Sequence, residues 1–139
     1  MSNVIFTSKA TAKNGRDGHV KSDDGLIDLN LVNPAKDKDE KGSNPEQLFA
    51  ATYASCFDGA LNLVASNQDK KIDSETTAEV SFCKDEEDGG FKIAATLNVS
   101  IKGVSQEEAD KLVKDAHKVC PYSKATQGNI DVTLNAKAV

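Results

Sequence analysis

The residues best suited to chemistry in this chain are its three cysteines, Cys56, Cys83 and Cys120. A thiolate is a nucleophile, a metal ligand and a redox centre, whereas the neutral thiol is nearly inert. The opening stretch, MSNVIFTSKATAK, shows no positive region followed by an apolar one, so a secreted disulfide framework is not expected and the cytoplasm is. In a reducing compartment a cysteine is either a quiet core residue or one used chemically. Cys120 opens the run Cys-Pro-Tyr-Ser. A glutaredoxin-type dithiol would carry a second cysteine where Ser123 stands, and would set the first at a helix start, where free N–H groups stabilise a thiolate. Cys120 is instead expected at a helix end, so that likeness is superficial and Cys120 is a poor candidate for the activated thiolate. Cys56, midway along an expected helix, reads by itself as an ordinary core cysteine. Cys83 ends a strand on the face opposite its apolar residues and reads as structural or incidental. His117 and Cys120 could share a helix face, but no Cys-x-x-Cys accompanies them and His19 is the one other histidine, so no metal site is expected.

The elements that must position these residues follow from periodicity. Residues 4–12, rich in β-branched side chains, predict a strand. The Asn-Gly and Gly residues of NGRDG turn it back into a short strand over 19–21. Ile27, Leu29 and Leu31 share one face of a third strand. Residues 33–43 are charged and contain Pro and Gly, which predicts an exposed connection. Asn44 suits a helix N-cap, Pro45 the first helical position, Gln47 a capping-box partner, and Glu46 the positive end of the dipole. That helix runs to about Ser66, with Phe49, Tyr53, Cys56, Ala60, Leu63 and Val64 on one stripe, and is apolar enough all round to be buried and central. Alternating apolar residues predict strands over 76–83 and 91–102, joined by the turn DEEDGG. Ser105–Glu108 is a capping box before an amphipathic helix faced by Ala109, Leu112, Val113 and Ala116, which Pro121 ends. Ile130, Val132, Leu134 and Ala136 mark a last strand. The order βββ-α-ββ-α-β is that of an α+β fold with largely antiparallel sheets around a buried central helix.

Composition narrows the function classes. The 139 residues, 38% hydrophobic and 28% charged, suit one domain over residues 1–139. A net charge of −5 without a basic stripe opposes nucleic-acid binding. No apolar run reaches the roughly 20 residues of a membrane span, so no membrane partner is expected.

Three long blocks, NGRDGHV, SNPEQLFAATYASCFDGAL and VCPYSKATQGNIDV, stand in that order at the opening, middle and end of the chain. Together they closely resemble the organic hydroperoxide resistance (Ohr) subfamily of the OsmC/Ohr proteins, and the likeness covers essentially the whole chain. The resemblance implies an intertwined homodimer and a thiol peroxidase acting on organic and lipid hydroperoxides. It implies that Cys56 is the peroxidatic cysteine and Cys120 the resolving one, with Arg16 and Glu46 as their catalytic partners. It implies no metal, haem or flavin cofactor, and a lipoyl-type dithiol, free or on a protein, as external reductant. It assigns Cys83 no role.

These assignments make chemical sense. Burial raises the pKa of a thiol, so a cation must offset it; a guanidinium is always charged and can hold thiolate and peroxide together. Glu46 would orient Arg16 by a bidentate contact. Phe49, Tyr53 and Leu63 are candidates to line an apolar substrate pocket, although a plain core role suits them as well. Ten residues, about 15 Å of helix, separate Glu46 from Cys56, so either the helix breaks early or Arg16 and Glu46 serve the Cys56 of a second subunit. The alternatives are an OsmC-type stress-induced peroxidase, a dithiol oxidoreductase without peroxide chemistry, and a carrier of small hydrophobic ligands.

Overall fold

The structure is a computed structural model that describes residues 3–36 and 39–139. Its residues gather into two compact units, Met1–Leu48 and Phe49–Val139.

In the first unit, β1 (Ala10–Lys13), β2 (His19–Ser22) and β3 (Asp28–Asn30) form an antiparallel sheet in that order. The turn between β1 and β2 is tight because Asn14 and Gly15 both take left-handed backbone, at φ 60° and 65°, which suits an Asn-Gly pair. The expected strand over residues 4–12 pairs only from Ala10 onward. Val4, Ile5 and Phe6 stand 74%, 94% and 81% exposed, because the sheet of this chain offers them no neighbouring edge. The third strand is shorter than its pattern. Ile27 is exposed, Leu31 is buried, and the ladder spans the three residues between Ile27 and Leu31. The connection over residues 33–43 begins with an Asx turn, in which the Ala35 N–H donates to Asn33 Oδ1 at 2.9 Å. Asp37 and Lys38 of that connection lie outside the described residues. Its base is closed by the Ser43 N–H on the Asn30 carbonyl and the Val32 N–H on that of Ser43.

Helix α1 (Pro45–Asn67) opens as expected, with the Gln47 N–H donating to Asn44 Oδ1 at 2.8 Å. Gln47 does not complete a capping box; its Oε1 accepts from Ser43 Oγ at 2.6 Å. By length and composition α1 is long and apolar enough to cross a membrane, yet Tyr53, Phe57, Ala60, Leu61, Val64 and Ala65 give it one buried face, as a core helix has. Leu63 was expected on that stripe but lies about 120° from its centre and is 52% exposed; Phe57 and Leu61 take its place. The opposite face, with Ala51, Thr52, Ser55, Gly59 and Asn62, is open, so α1 is not covered all round by its own chain.

The second unit completes the core. Strands β4 (Asp73–Lys84) and β5 (Phe91–Lys102) pair antiparallel along their whole length, and β6 (Val132–Ala138) pairs parallel to β5. A parallel pair needs a crossover. It is supplied by α2 (Gln106–Val119) and by a helix that the sequence pattern did not announce, α3 (Pro121–Thr126). Pro121 therefore ends α2 and also starts α3, because a proline is at home in the first helical position. Leu97, Val99 and Ile101 of β5, Leu112, Val113 and Ala116 of α2, and the buried face of α1 form one cluster. The Ser105 capping box of α2 is complete, with Glu108 N–H on Ser105 Oγ and Ser105 N–H on Glu108 Oε1. Ser105→Ala should lower stability by about 1 kcal/mol. Urea unfolding followed by circular dichroism checks this; an unchanged midpoint would deny the cap its part in holding the crossover.

Candidate active site

The second unit brings two cysteines together. Cys56 lies at the border between the buried and open faces of α1 and is partly exposed, whereas Cys120 is wholly buried. Their sulfurs are 3.5 Å apart although 64 residues separate them in sequence. Cys120 is the one residue between α2 and α3. Its N–H donates to the Ala116 carbonyl at 2.8 Å and closes α2, and its Sγ accepts from the Ser123 N–H at 3.5 Å and caps α3. Cys120 was expected only at a helix end; it stands at a helix start as well. Burial pushes the Cys56 thiol above its ordinary value; the backbone N–H of Tyr122 pulls it down, and the neighbouring Cys120 adds to the rise.

The first unit brings together Arg16 and Glu46. Arg16 sits in a single 3-10 turn, Gly15–Asp17, held between β1 and β2. Gly18 closes that turn where a Cβ would stand 1.8 Å from the Lys13 carbonyl oxygen, so only glycine fits. The guanidinium meets the Glu46 carboxylate fork to fork, Nη1 to Oε1 at 2.7 Å and Nη2 to Oε2 at 3.0 Å. Those hydrogen bonds hold the Glu46 carboxyl below the usual range and raise Arg16. The Glu46 side chain is mostly covered and that of Arg16 is half exposed. The bidentate grip fixes the plane of the guanidinium.

Of the expected pocket residues, Phe49 and Tyr53 touch edge to face, with ring centroids 6.1 Å apart, and Tyr122 packs against both. Leu63, ten residues beyond Tyr53 and half exposed, does not join them. Tyr53 is fully buried, and its hydroxyl bonds Ser123 Oγ at 2.8 Å and Thr126 Oγ1 at 3.1 Å. Ser123 Oγ in turn bonds His117 Nδ1 at 2.8 Å. Burial lowers the pKa of His117 and so favours the neutral ring. Sequence reasoning gave no role to Ser123, Thr126 or Tyr122; in the run Cys-Pro-Tyr-Ser-x-x-Thr that carries them, Ser123 marked only a missing cysteine and Pro121 a helix end. Cys83 lies on β4 opposite Lys92, its thiol 3.7 Å from the Ser81 carbonyl. Among the described residues no group of three or more His, Cys, Asp or Glu side chains is placed to hold a metal ion.

Residues 37–135 match the family of OsmC-like proteins. The chain is 56% identical to organic hydroperoxide resistance protein OhrB of Bacillus subtilis, over 96% of this chain and 99% of that one. It is 53% identical to OhrA of the same organism, over 96% and 97%. Its fold superposes on the crystal structure of Bacillus subtilis OhrB with a TM-score of 0.92, covering 98% of this chain and 100% of that one. The organic hydroperoxide resistance protein of Elizabethkingia anophelis, crystallised with thiocyanate bound, gives a TM-score of 0.93 at 42% identity, covering 99% and 100%. The chain belongs to the OsmC/Ohr family, in its Ohr subfamily.

The electrostatics of the ion pair have a testable sign. The Glu46 carboxyl should titrate below the roughly 4.3 of a free glutamate. Its contribution to stability is then present above the unfolded-state pKa and lost as pH falls through the folded value. The gain is modest because Arg16 is half in solvent. Carbon-13 NMR titration should show this depressed midpoint, and Arg16→Ala should return it towards the ordinary value. An ordinary midpoint in the unmodified protein would mean that the pair does not persist in solution.

Proposed function

We propose that this chain is a cysteine-based thiol peroxidase that reduces alkyl and lipid hydroperoxides to alcohols. The observation that carries this reading is the 3.5 Å approach of Cys56 and Cys120 in a chain that is similar from end to end to organic hydroperoxide resistance proteins. The Cys56 thiolate attacks the terminal peroxide oxygen and the O–O bond breaks. The alkoxide takes a proton and leaves as alcohol, and Cys56 becomes a sulfenic acid. Charge develops on both oxygens, and the Arg16 guanidinium, oriented by Glu46, stabilises it and the thiolate before it. Such a cation answers the upward push of burial on the Cys56 thiol. Cys120 then displaces hydroxide from the Cys56 sulfur, giving the Cys56–Cys120 disulfide and water, and an external dithiol of lipoyl type reduces it by exchange. Phe49 and Tyr122 give an alkyl chain an apolar wall, which the buried Tyr53 backs. The cycle requires no bound cofactor and suits a single catalytic domain in the reducing cytoplasm.

The working form in this reading is an intertwined homodimer in which Arg16 and Glu46 of one subunit act on the Cys56 of the other. Helix α1 is unbroken from Pro45 to Asn67, so about 15 Å of helix lies between Glu46 and Cys56. The open face of α1 and the exposed Val4, Ile5 and Phe6 are the surfaces that a second copy would cover.

Cys56→Ser should abolish peroxide reduction. Cys120→Ser should consume about one hydroperoxide per site and then stall with Cys56 oxidised, while Cys83→Ser turns over normally. Rapid-quench mass spectrometry reads these states, and a Cys120→Ser protein inert to hydroperoxide would reverse the assignment of roles. The shared site has its own test. Inactive Cys56→Ser and Arg16→Ala subunits, unfolded and refolded together, should regain activity, because one site of each mixed dimer holds both intact residues. Mixed dimers that form yet stay inactive would place each site within one chain.

A further inference from the structure

Tyr53, Ser123, His117 and Thr126 form a line of hydrogen bonds that the peroxidase cycle, as proposed above, does not use. Each bond joins different parts of the core. Tyr53 is on α1, Ser123 and Thr126 on α3, and His117 in the last turn of α2. Tyr53 and Ser123 are wholly buried, and Thr126 nearly so. Among the described residues no buried side-chain nitrogen or oxygen lacks a partner, so the line is fully satisfied. With the Thr126 hydroxyl donating to the Ser123 carbonyl at 3.3 Å, all four bonds coexist in one order: His117 Nδ1–H to Ser123 Oγ, the Ser123 hydroxyl to Tyr53, and the Tyr53 hydroxyl to Thr126. A buried network of this kind holds its members to one arrangement.

The placement of that line matters more than its existence. Tyr53 stands three residues before Cys56, and Ser123 three after Cys120. The 2.8 Å bond between them therefore spans α1 and α3 one helical turn from the 3.5 Å sulfur contact. Ser123 also donates its own N–H to Cys120 Sγ. A disulfide needs its sulfurs at about 2.05 Å, so one thiol must close the remaining distance, and the seating of α3 on α1 decides where that approach begins.

We propose that Ser123 and His117 are positioning residues for disulfide formation, tying α3 and the end of α2 to α1 through Tyr53 so that Cys120 Sγ faces Cys56 Sγ. The step they serve is Cys56–SOH plus Cys120–SH giving the disulfide and water. The electron pair of the Cys120 sulfur forms the S–S bond, the S–O bond of Cys56 breaks, and the thiol proton leaves with the hydroxide. A loosened α3 lengthens the life of the sulfenic acid and exposes it to a second peroxide, which carries Cys56 to the sulfinic acid. This role rests on the proposed peroxidase cycle, and the test separates the two.

The full-length protein, reduced and then mixed with excess cumene hydroperoxide, is quenched over time and weighed for sulfenic acid (trapped with dimedone), disulfide and sulfinic acid. In Ser123→Ala and in His117→Leu, disulfide formation should slow by roughly tenfold relative to sulfenic acid formation, and the sulfinic fraction at Cys56 should rise. His117→Asn puts an amide nitrogen where Nδ1 lies and should restore the wild-type ratio. His117 is only partly buried, so the Leu and Asn pair decides the matter should Ser123→Ala fail to fold. Variants that keep the wild-type ratio, that slow both steps equally, or an Asn variant no better than Leu would overturn the positioning role. Wild-type protein that consumes the peroxide without forming the Cys56–Cys120 disulfide would instead overturn the cycle itself.

Discussion

A single residue joins α2 to α3, and that residue is Cys120. Its backbone N–H finishes one helix, and its sulfur caps the next and meets Cys56 at 3.5 Å. One residue therefore has to satisfy two helix ends and a thiol contact within a buried space. The rest of the second unit serves that constraint. Pro121 can start a helix immediately because it needs no N–H partner. The α2 face of Ala109, Leu112, Val113 and Ala116 fixes the joint from one side, and Tyr53 on α1 fixes it from the other.

The first unit solves a different problem. A guanidinium on a tight turn keeps one plane only if a partner fixes it. The tight Asn14–Gly18 turn and the first turn of α1 grip Arg16 by the edge that faces Glu46, through two bonds. Glu46 also lies where the α1 dipole favours a carboxylate, so the same charge that orients Arg16 suits the helix that carries it.

The elements that dominate the core were legible in the sequence because their patterns are long. Residues 91–102 alternate through twelve positions, and the strand found there has those bounds. The Ser105 capping box was legible because its two partners lie three residues apart. Legibility failed where neighbours outside the local pattern decide. Residues 4–9 have strand composition, but the β1–β2 ladder among the described residues starts only at Ala10. Leu63 is apolar but falls off the face that the sheet covers. Helix α3 hid behind a proline read as a stop. In the site, the thiol pair and the ion pair were named from motif likeness, and no spacing rule would have paired residues so far apart. The Tyr53–Ser123–His117 line was invisible, since a hydroxyl in a short run carries no sign of which helix it will meet.

The parallel pairing of β6 with β5 also sets an order of assembly. Strands β4 and β5 form a local hairpin, but β6 reaches its place only after α2 and α3 have crossed over. Contacts so distant along the chain close late in folding. The sulfur contact lies at the joint of that crossover, between α2 and α3, so it depends on the same long-range closure. Until the crossover is seated nothing holds Cys120 beside Cys56, and the 3.5 Å sulfur contact is a property of the folded chain alone.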